Sequence, residues 1–212
     1  MVLPGLYSGF LLTIQLTLWS GLFGIVLGLL IALARISRNR VVSSAAAAYV
    51  TLFRGTPLLL QILFIYFALP TINEDWKLDA MPSGILGLSL NAAAYLTEIF
   101  RAAIQSIDGG QMEAARTLGM GYSLAMRRIV LPQTFRRLIP PVVNELSALA
   151  KDTSLVSTLA LAELLYMTQR IGAKYLRPWE VYIWAAAGYL VIVLTLTSLA
   201  NRLERNLKAR DS

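Results

Sequence analysis

No lysine, arginine, aspartate or glutamate precedes Arg35, and from about Leu6 to Ala34 the chain is apolar except for Thr13, Gln15, Thr17 and Ser20. At ~1.5 Å per residue such a run reaches roughly 40 Å, more than the ~30 Å hydrocarbon core of a bilayer. A secretory leader has a basic start and an apolar stretch of about 7–15 residues. This run has no basic start and is too long, so it reads as an uncleaved transmembrane helix. Ser20, Gly24, Gly28 and Ala32 recur every four residues and mark a face on which another helix can approach closely.

The rest of the chain agrees with a membrane setting. Of 212 residues, 57% are apolar and 15% charged, against about 45–50% and 25% in soluble domains. Further apolar stretches give five expected spans, over about 6–34, 45–70, 84–103, 138–160 and 180–200. Arg54 can snorkel from the second, the third carries Glu98, and the fourth has Pro140-Pro141 near its start and Lys151-Asp152 breaking its apolar run. The chain has no cysteine and no histidine. That removes disulfides, thiol chemistry and the usual general base and metal ligand, so no catalytic or metal site is expected.

Lysine and arginine accumulate in cytoplasmic loops. With the N-terminus outside, 14 of the 19 basic residues fall inside, from Arg35 down to Lys208 and Arg210, and 5 fall outside. The outer loop around 71–82 also carries Glu74, Asp75 and Asp79. The net charge of +7 therefore reads as membrane topology, with the C-terminus cytoplasmic. Its basic residues flank apolar spans and form no nucleic-acid footprint. No second folded domain fits, and no G-x-x-x-x-G-K-[ST] pattern occurs, so any ATP-driven motor must be another chain.

The longest polar-leaning stretch is the cytoplasmic one, about 104–137. It contains Glu113-Ala114-Ala115, then Gly119, then Ile129, Leu131 and Pro132. Ala114, Ala115 and Leu118 favour helix, Gly119 and Gly121 bracket a break, and Pro132 is expected to stop a second helix. Leu118, Tyr122, Ala125 and Ile129 fall on one helical face, giving an apolar ridge suited to a partner's groove.

This spacing resembles the EAA loop (about 111–132) of bacterial ABC importer permeases, E-A-A-x(3)-G-x(9)-I-x-L-P, and every fixed position is met. Leu52-Phe53-Arg54-Gly55-Thr56-Pro57-Leu58, Ala94-Tyr95-Leu96-Thr97-Glu98-Ile99-Phe100-Arg101 and Lys151-Asp152-Thr153-Ser154-Leu155 are similar to the polar amino-acid branch, that of the histidine, glutamine and arginine permeases. The turn Asp108-Gly109-Gly110 departs from the Pro-Lys-Gly type common there. The resemblance covers nearly the whole chain. It implies an all-α integral membrane fold of the type I ABC importer kind, one permease domain over 1–212, in the bacterial cytoplasmic membrane. The implied partners are a second permease copy or close homologue, two ABC ATPase subunits carrying ATP and Mg, and an extracytoplasmic amino-acid-binding protein. Glu113, Ala114, Ala115, Leu118, Gly119 and Tyr122 would then couple to the ATPase. For Glu113, favourable charge at a helix start is an equal reading.

Charge inside a span is costly and usually faces a cavity or a partner. Glu98 and Arg101, three apart, can pair on one helix face, which competes with a substrate role for Glu98. An interrupted fourth span would free backbone groups beside Asn144, Glu145, Asp152, Thr153 and Ser154. Glu145 and Asp152 offer anions for an amino acid's ammonium; Asn144, Thr153 and Ser154 offer donors for its carboxylate. Pairing of Lys151 with Asp152 is the competing reading. The expected mechanism is alternating access. An ion-gradient-driven carrier using Glu98 and Glu145 is the alternative, although it leaves the cytoplasmic loop unexplained. No nucleophile motif supports an intramembrane enzyme.

Overall fold

The computed structural model describes residues 2–208, and no strand occurs among them; Arg210, counted above among the inside charges, lies outside this range. The helices are α1 (Val2–Arg35), α2 (Arg40–Gly55), α3 (Leu58–Leu63), α4 (Leu69–Ile72), α5 (Ala80–Gln105), α6 (Gly109–Thr117), α7 (Tyr122–Ala125), α8 (Leu131–Asp152), α9 (Leu164–Tyr175) and α10 (Pro178–Lys208). Helices α1 and α10 are each long and apolar enough to cross a membrane. Helix α5 is more polar because its neighbours cover it: Ser83, Ser89, Asn91 and Thr97 all lie in the interior.

The second apolar stretch, expected as one span over about 45–70, is instead a pair of helical segments bent by 104° at the break between them. Pro57 has no N–H and forces Thr56 into extended backbone (φ −119°, ψ 147°), which ends α2. A π turn, Phe64–Ala68, then precedes Pro70. The same device recurs at Pro132. That proline does not stop the helix as expected; a π turn over Met126–Val130 lets α7 run on into α8, with Pro132 in the first turn of α8. Helix α8 also continues through Pro140-Pro141 and on to Asp152, where a 3₁₀ segment, Thr153–Leu159, takes over. The break in the fourth span therefore begins after Asp152.

The small-residue face of α1 packs against α5. A Cβ on Gly24 would stand 3.2 Å from the Ala92 Cβ, and one on Gly28 would stand 2.9 Å from the Leu96 Cβ and 3.0 Å from the Ala93 carbonyl. Ser20 and Ala32 on that face are fully buried. The Thr97 hydroxyl donates to the Gly28 carbonyl across the contact at 3.2 Å. Lipid gives helices no hydrophobic drive to associate, so close backbone approach and such hydrogen bonds hold the pair together. Around it lies the main core of Leu16, Ile62, Leu88, Leu96, Leu149 and Val156.

A second core joins α1, α9 and α10 through Leu6, Leu164, Ile171, Val181 and Ala185. Its polar centre is Glu163, fully buried. The Glu163 carboxylate caps α9 by accepting from the Leu165 and Tyr166 amides (2.9 and 2.7 Å) and accepts from the Tyr189 hydroxyl at 2.7 Å. The Thr13 hydroxyl donates to it at 3.5 Å and accepts from the Leu164 amide at 3.2 Å. The chain after α8 thus advances along α1, from Leu149 at Gly21 to Glu163 at Thr13 and Gly9, and α9 continues in the same direction to Gly5. Helix α9 ends on Leu176, held in left-handed backbone at φ 53°. That position usually takes glycine, and a residue with a Cβ costs about 1–2 kcal/mol there.

The α1–α5 contact makes a measurable claim. Gly28→Val should push the helices apart, costing about 1–3 kcal/mol and lowering the thermal midpoint in detergent by about 5 °C. Gly109, with open space around it, provides the control: Gly109→Ala should leave the midpoint unchanged.

Candidate substrate pocket and exposed hairpin

Breaking a membrane helix frees carbonyl groups that need donors. At the Thr56–Pro57 break the Gln61 side-chain amide supplies them, donating to the Phe53 carbonyl (2.8 Å), the Thr56 carbonyl (3.1 Å) and Thr56 Oγ1 (2.8 Å). The Gln61 carbonyl in turn accepts from Asn91 Nδ2 at 3.1 Å, and the same Asn91 amide donates to the Phe53 carbonyl at 3.1 Å. Helix α5 is thereby clamped to the break. The Arg54 guanidinium, just before it, lies over the Tyr95 ring at 5.0 Å.

Against this knot opens a pocket of about 390 Å³, lined by Thr56, Pro57 and Leu58 at the break, Asn91 and Tyr95 on α5, and Glu145, Ala148 and Asp152 on α8. Positions 145, 148 and 152 share one helical face. Seven residues separate the two carboxylates, roughly 10 Å along the axis. Neither has a hydrogen-bond or ion-pair partner among the described residues, and no ion pair joins Lys151 to Asp152. The lining carries two acidic groups and no basic one.

The other expected site residues lie elsewhere. Asn144 is exposed on a different face of α8. Thr153 is fully buried and donates to the Ala150 carbonyl at 2.9 Å. Ser154, half-buried in the 3₁₀ segment, does not line the pocket. Glu98 sits two turns beyond Asn91 and binds Arg101 through two hydrogen bonds, 2.9 and 2.6 Å, with Arg35 at 3.8 Å. Asn91 and Gln61 were missed in the sequence because a lone amide in an apolar run carries no pattern. Their signal was the unmet demand of a broken helix nearby.

The hairpin that follows α5 is α6, a tight turn and α7. Gly119 supplies the turn at φ 80°, where a side chain would be strained. Gly121 is extended and precedes α7. Leu118 is 83% exposed and Tyr122 62%, whereas Ala125 is fully buried, so the expected ridge is only partly outward. Glu113 and Ala114 are exposed and Ala115 is buried inside this chain. Through the π turn the hairpin is continuous with α8, the helix bearing Glu145 and Asp152. Arg137 donates to the Ser106 carbonyl and, at 2.9 Å, to its hydroxyl, tying α8 to the end of α5.

The chain matches the family model described as binding-protein-dependent transport system inner membrane component over residues 24–210, and it belongs to that family. It is 37% identical over 209 residues to the arginine transport system permease protein ArtQ of Bacillus subtilis (strain 168), covering 99% of this chain and 95% of that protein. It is 42% identical over 205 residues to the L-cystine transport system permease protein TcyB of the same organism, covering 96% and 87%. Among solved structures it superposes on one described as an amino acid ABC transporter with histidines with a TM-score of 0.87, at 37% identity, covering 96% of this chain and 94% of that one. The chain is thus an inner-membrane transport subunit of the type I importer fold. It is not an enzyme: ATP is hydrolysed in a separate partner chain, and substrate arrives on a binding protein. The ion-gradient alternative finds no support in these relatives.

The turn geometry can be tested directly. Gly119→Val places a β-branched side chain in left-handed backbone, and the purified complex should then retain less of its ATPase and show transport at least about tenfold lower. Normal co-purification and transport would contradict a need for this turn.

Proposed function

We propose that this chain is the membrane-spanning subunit of an ATP-driven importer of polar amino acids, favouring those with basic side chains. The observation that carries the substrate reading is the pair of partnerless carboxylates, Glu145 and Asp152, on one pocket wall with no basic residue in the lining. An ammonium and a second cation at the far end of the same molecule match two anions roughly 10 Å apart along a helix. Relatives named for arginine, cystine and glutamine transport support amino acids as the class. The Tyr95 hydroxyl, rather than Asn144 and Thr153, is then the donor for the carboxylate, because the Asn91 amide and the Thr56 hydroxyl already donate to Phe53, Gln61 and Leu52.

In this reading α1, the bent α2–α4 unit, α5, α8 and α10 cross the bacterial cytoplasmic membrane, five passages with the N-terminus outside. A second copy or close homologue packs alongside, and two ATPase subunits holding ATP and Mg dock on the two hairpins through Leu118, Tyr122 and Glu113. Ala115 holds α6 to its own chain instead. ATP draws the ATPases together and the hairpins with them. The helical run from Tyr122 to Asp152 carries that movement to the pocket wall, and the pocket alternates between the two sides. Loaded binding protein prefers the outward-open state; hydrolysis restores the inward-open one.

In the reconstituted complex, Glu145→Gln should raise the basic amino-acid concentration giving half-maximal ATPase stimulation about 10–100-fold, as expected from losing one charge-assisted contact. An unchanged substrate dependence would remove Glu145 from the site.

A further inference from the structure

The corner between α9 and α10 is built at odds with its surroundings. Leu176 occupies a left-handed position that glycine would fill without strain, and its side chain is 87% exposed. Trp179, three residues on, is 76% exposed. The corner is rigid: the Leu176 and Arg177 amides both donate to the Gly172 carbonyl, and Gly172 lies against Pro178. Arg170 and Lys174 stand exposed on α9, each beside an aromatic ring, Tyr166 at 5.8 Å and Tyr175 at 5.5 Å. Arg177 is paired with Glu180 at 3.3 Å.

Helix α1 spans 34 residues, about 50 Å, beyond the ~40–45 Å of a whole bilayer with its headgroups. The corner rises beside the outer end of α1, where Gly5 touches Met167 and Ile171. Tyr182 and Trp184, a turn or more down α10 and both exposed, suit the interfacial aromatic band. Leu176 precedes that band, at the outer end of α10, and is largely exposed. A strained backbone presenting an exposed leucine points to a contact that the isolated chain does not make.

We infer that the α9–α10 corner, with Leu176 and Trp179 as apolar anchors between Arg170 and Lys174, is a docking surface for an acidic face of the extracytoplasmic binding protein. The family's dependence on a binding protein requires such a contact on the outer side. The other outer loop carries Glu74, Asp75 and Asp79 around exposed Trp76. The two patches are of opposite sign, so the partner can seat in one orientation only. This inference rests on the importer reading with the N-terminus outside.

The chain has no cysteine, so Leu176→Cys gives a unique label. In proteoliposomes of the assembled transporter it should react with an impermeant maleimide from the extracytoplasmic side, and saturating amino-acid-loaded binding protein should slow that reaction about tenfold. Arg170→Glu with Lys174→Glu should raise the binding-protein concentration for half-maximal ATPase stimulation about tenfold. Leu176→Asn, which tolerates the left-handed backbone, should raise it about threefold without disturbing the corner. Extracytoplasmic labelling that the binding protein does not slow, with unchanged half-maximal concentrations in the other variants, overturns the docking surface and leaves the importer reading standing. Labelling from the cytoplasmic side alone overturns the orientation, and the docking surface with it.

Discussion

A carbonyl group released in hydrocarbon must find a donor, and at the Thr56–Pro57 break that donor is the Gln61 amide. Without it the 104° bend would leave unpaired polar backbone in the membrane, each group costing several kcal/mol. With it, the bend becomes a rigid wall, and Asn91 fixes α5 to that wall. The pocket exists because α8 then faces a polar break rather than a smooth apolar helix. Two carboxylates on α8 are tolerable in the membrane only against such a wetted concavity.

Two packed units follow from the contacts. Helices α1 and α5 are fused by the close approach at Gly24 and Gly28, while α9 and α10 are tied to α1 through the buried Glu163 carboxylate. Both ties grip the same side of α1, the first in its C-terminal half and the second in its N-terminal half. Helix α8 is held differently: it is continuous with the exposed hairpin and reaches the C-terminal end of α5 through Arg137 and Ser106. The element that carries the pocket's charges is therefore also the one a docked ATPase would move.

The sequence made the membrane setting, the helical class and the small-residue face of α1 legible, because each rests on local period or composition. Gly119 was legible for the same reason: a glycine between two helix-forming stretches has few other uses. The pairing of Glu98 with Arg101 follows from helical spacing alone. Other features depend on partners distant in sequence. Nothing local shows that Gln61 reaches back to Phe53, that Asn91 joins it, or that Asn144 turns away from Glu145. Pro132 was misread because the cost of a proline was weighed against a regular α-helix, whereas a π turn one residue ahead absorbs it. Glu163 is a lone acid in the apolar stretch 159–165, with no local sign of its partners, yet four donors from three helices converge on it.

The central claim is that nucleotide bound to the ATPases decides which side of the membrane the Glu145–Asp152 pocket faces. Ala148 lines that pocket in a chain without cysteine, so Ala148→Cys reports it directly. The most telling measurement is its reaction rate with an impermeant maleimide added outside proteoliposomes of the assembled transporter. The rate should rise sharply when the ATPases are trapped with ATP and fall to background in the nucleotide-free state. The same rate in both states would contradict the account.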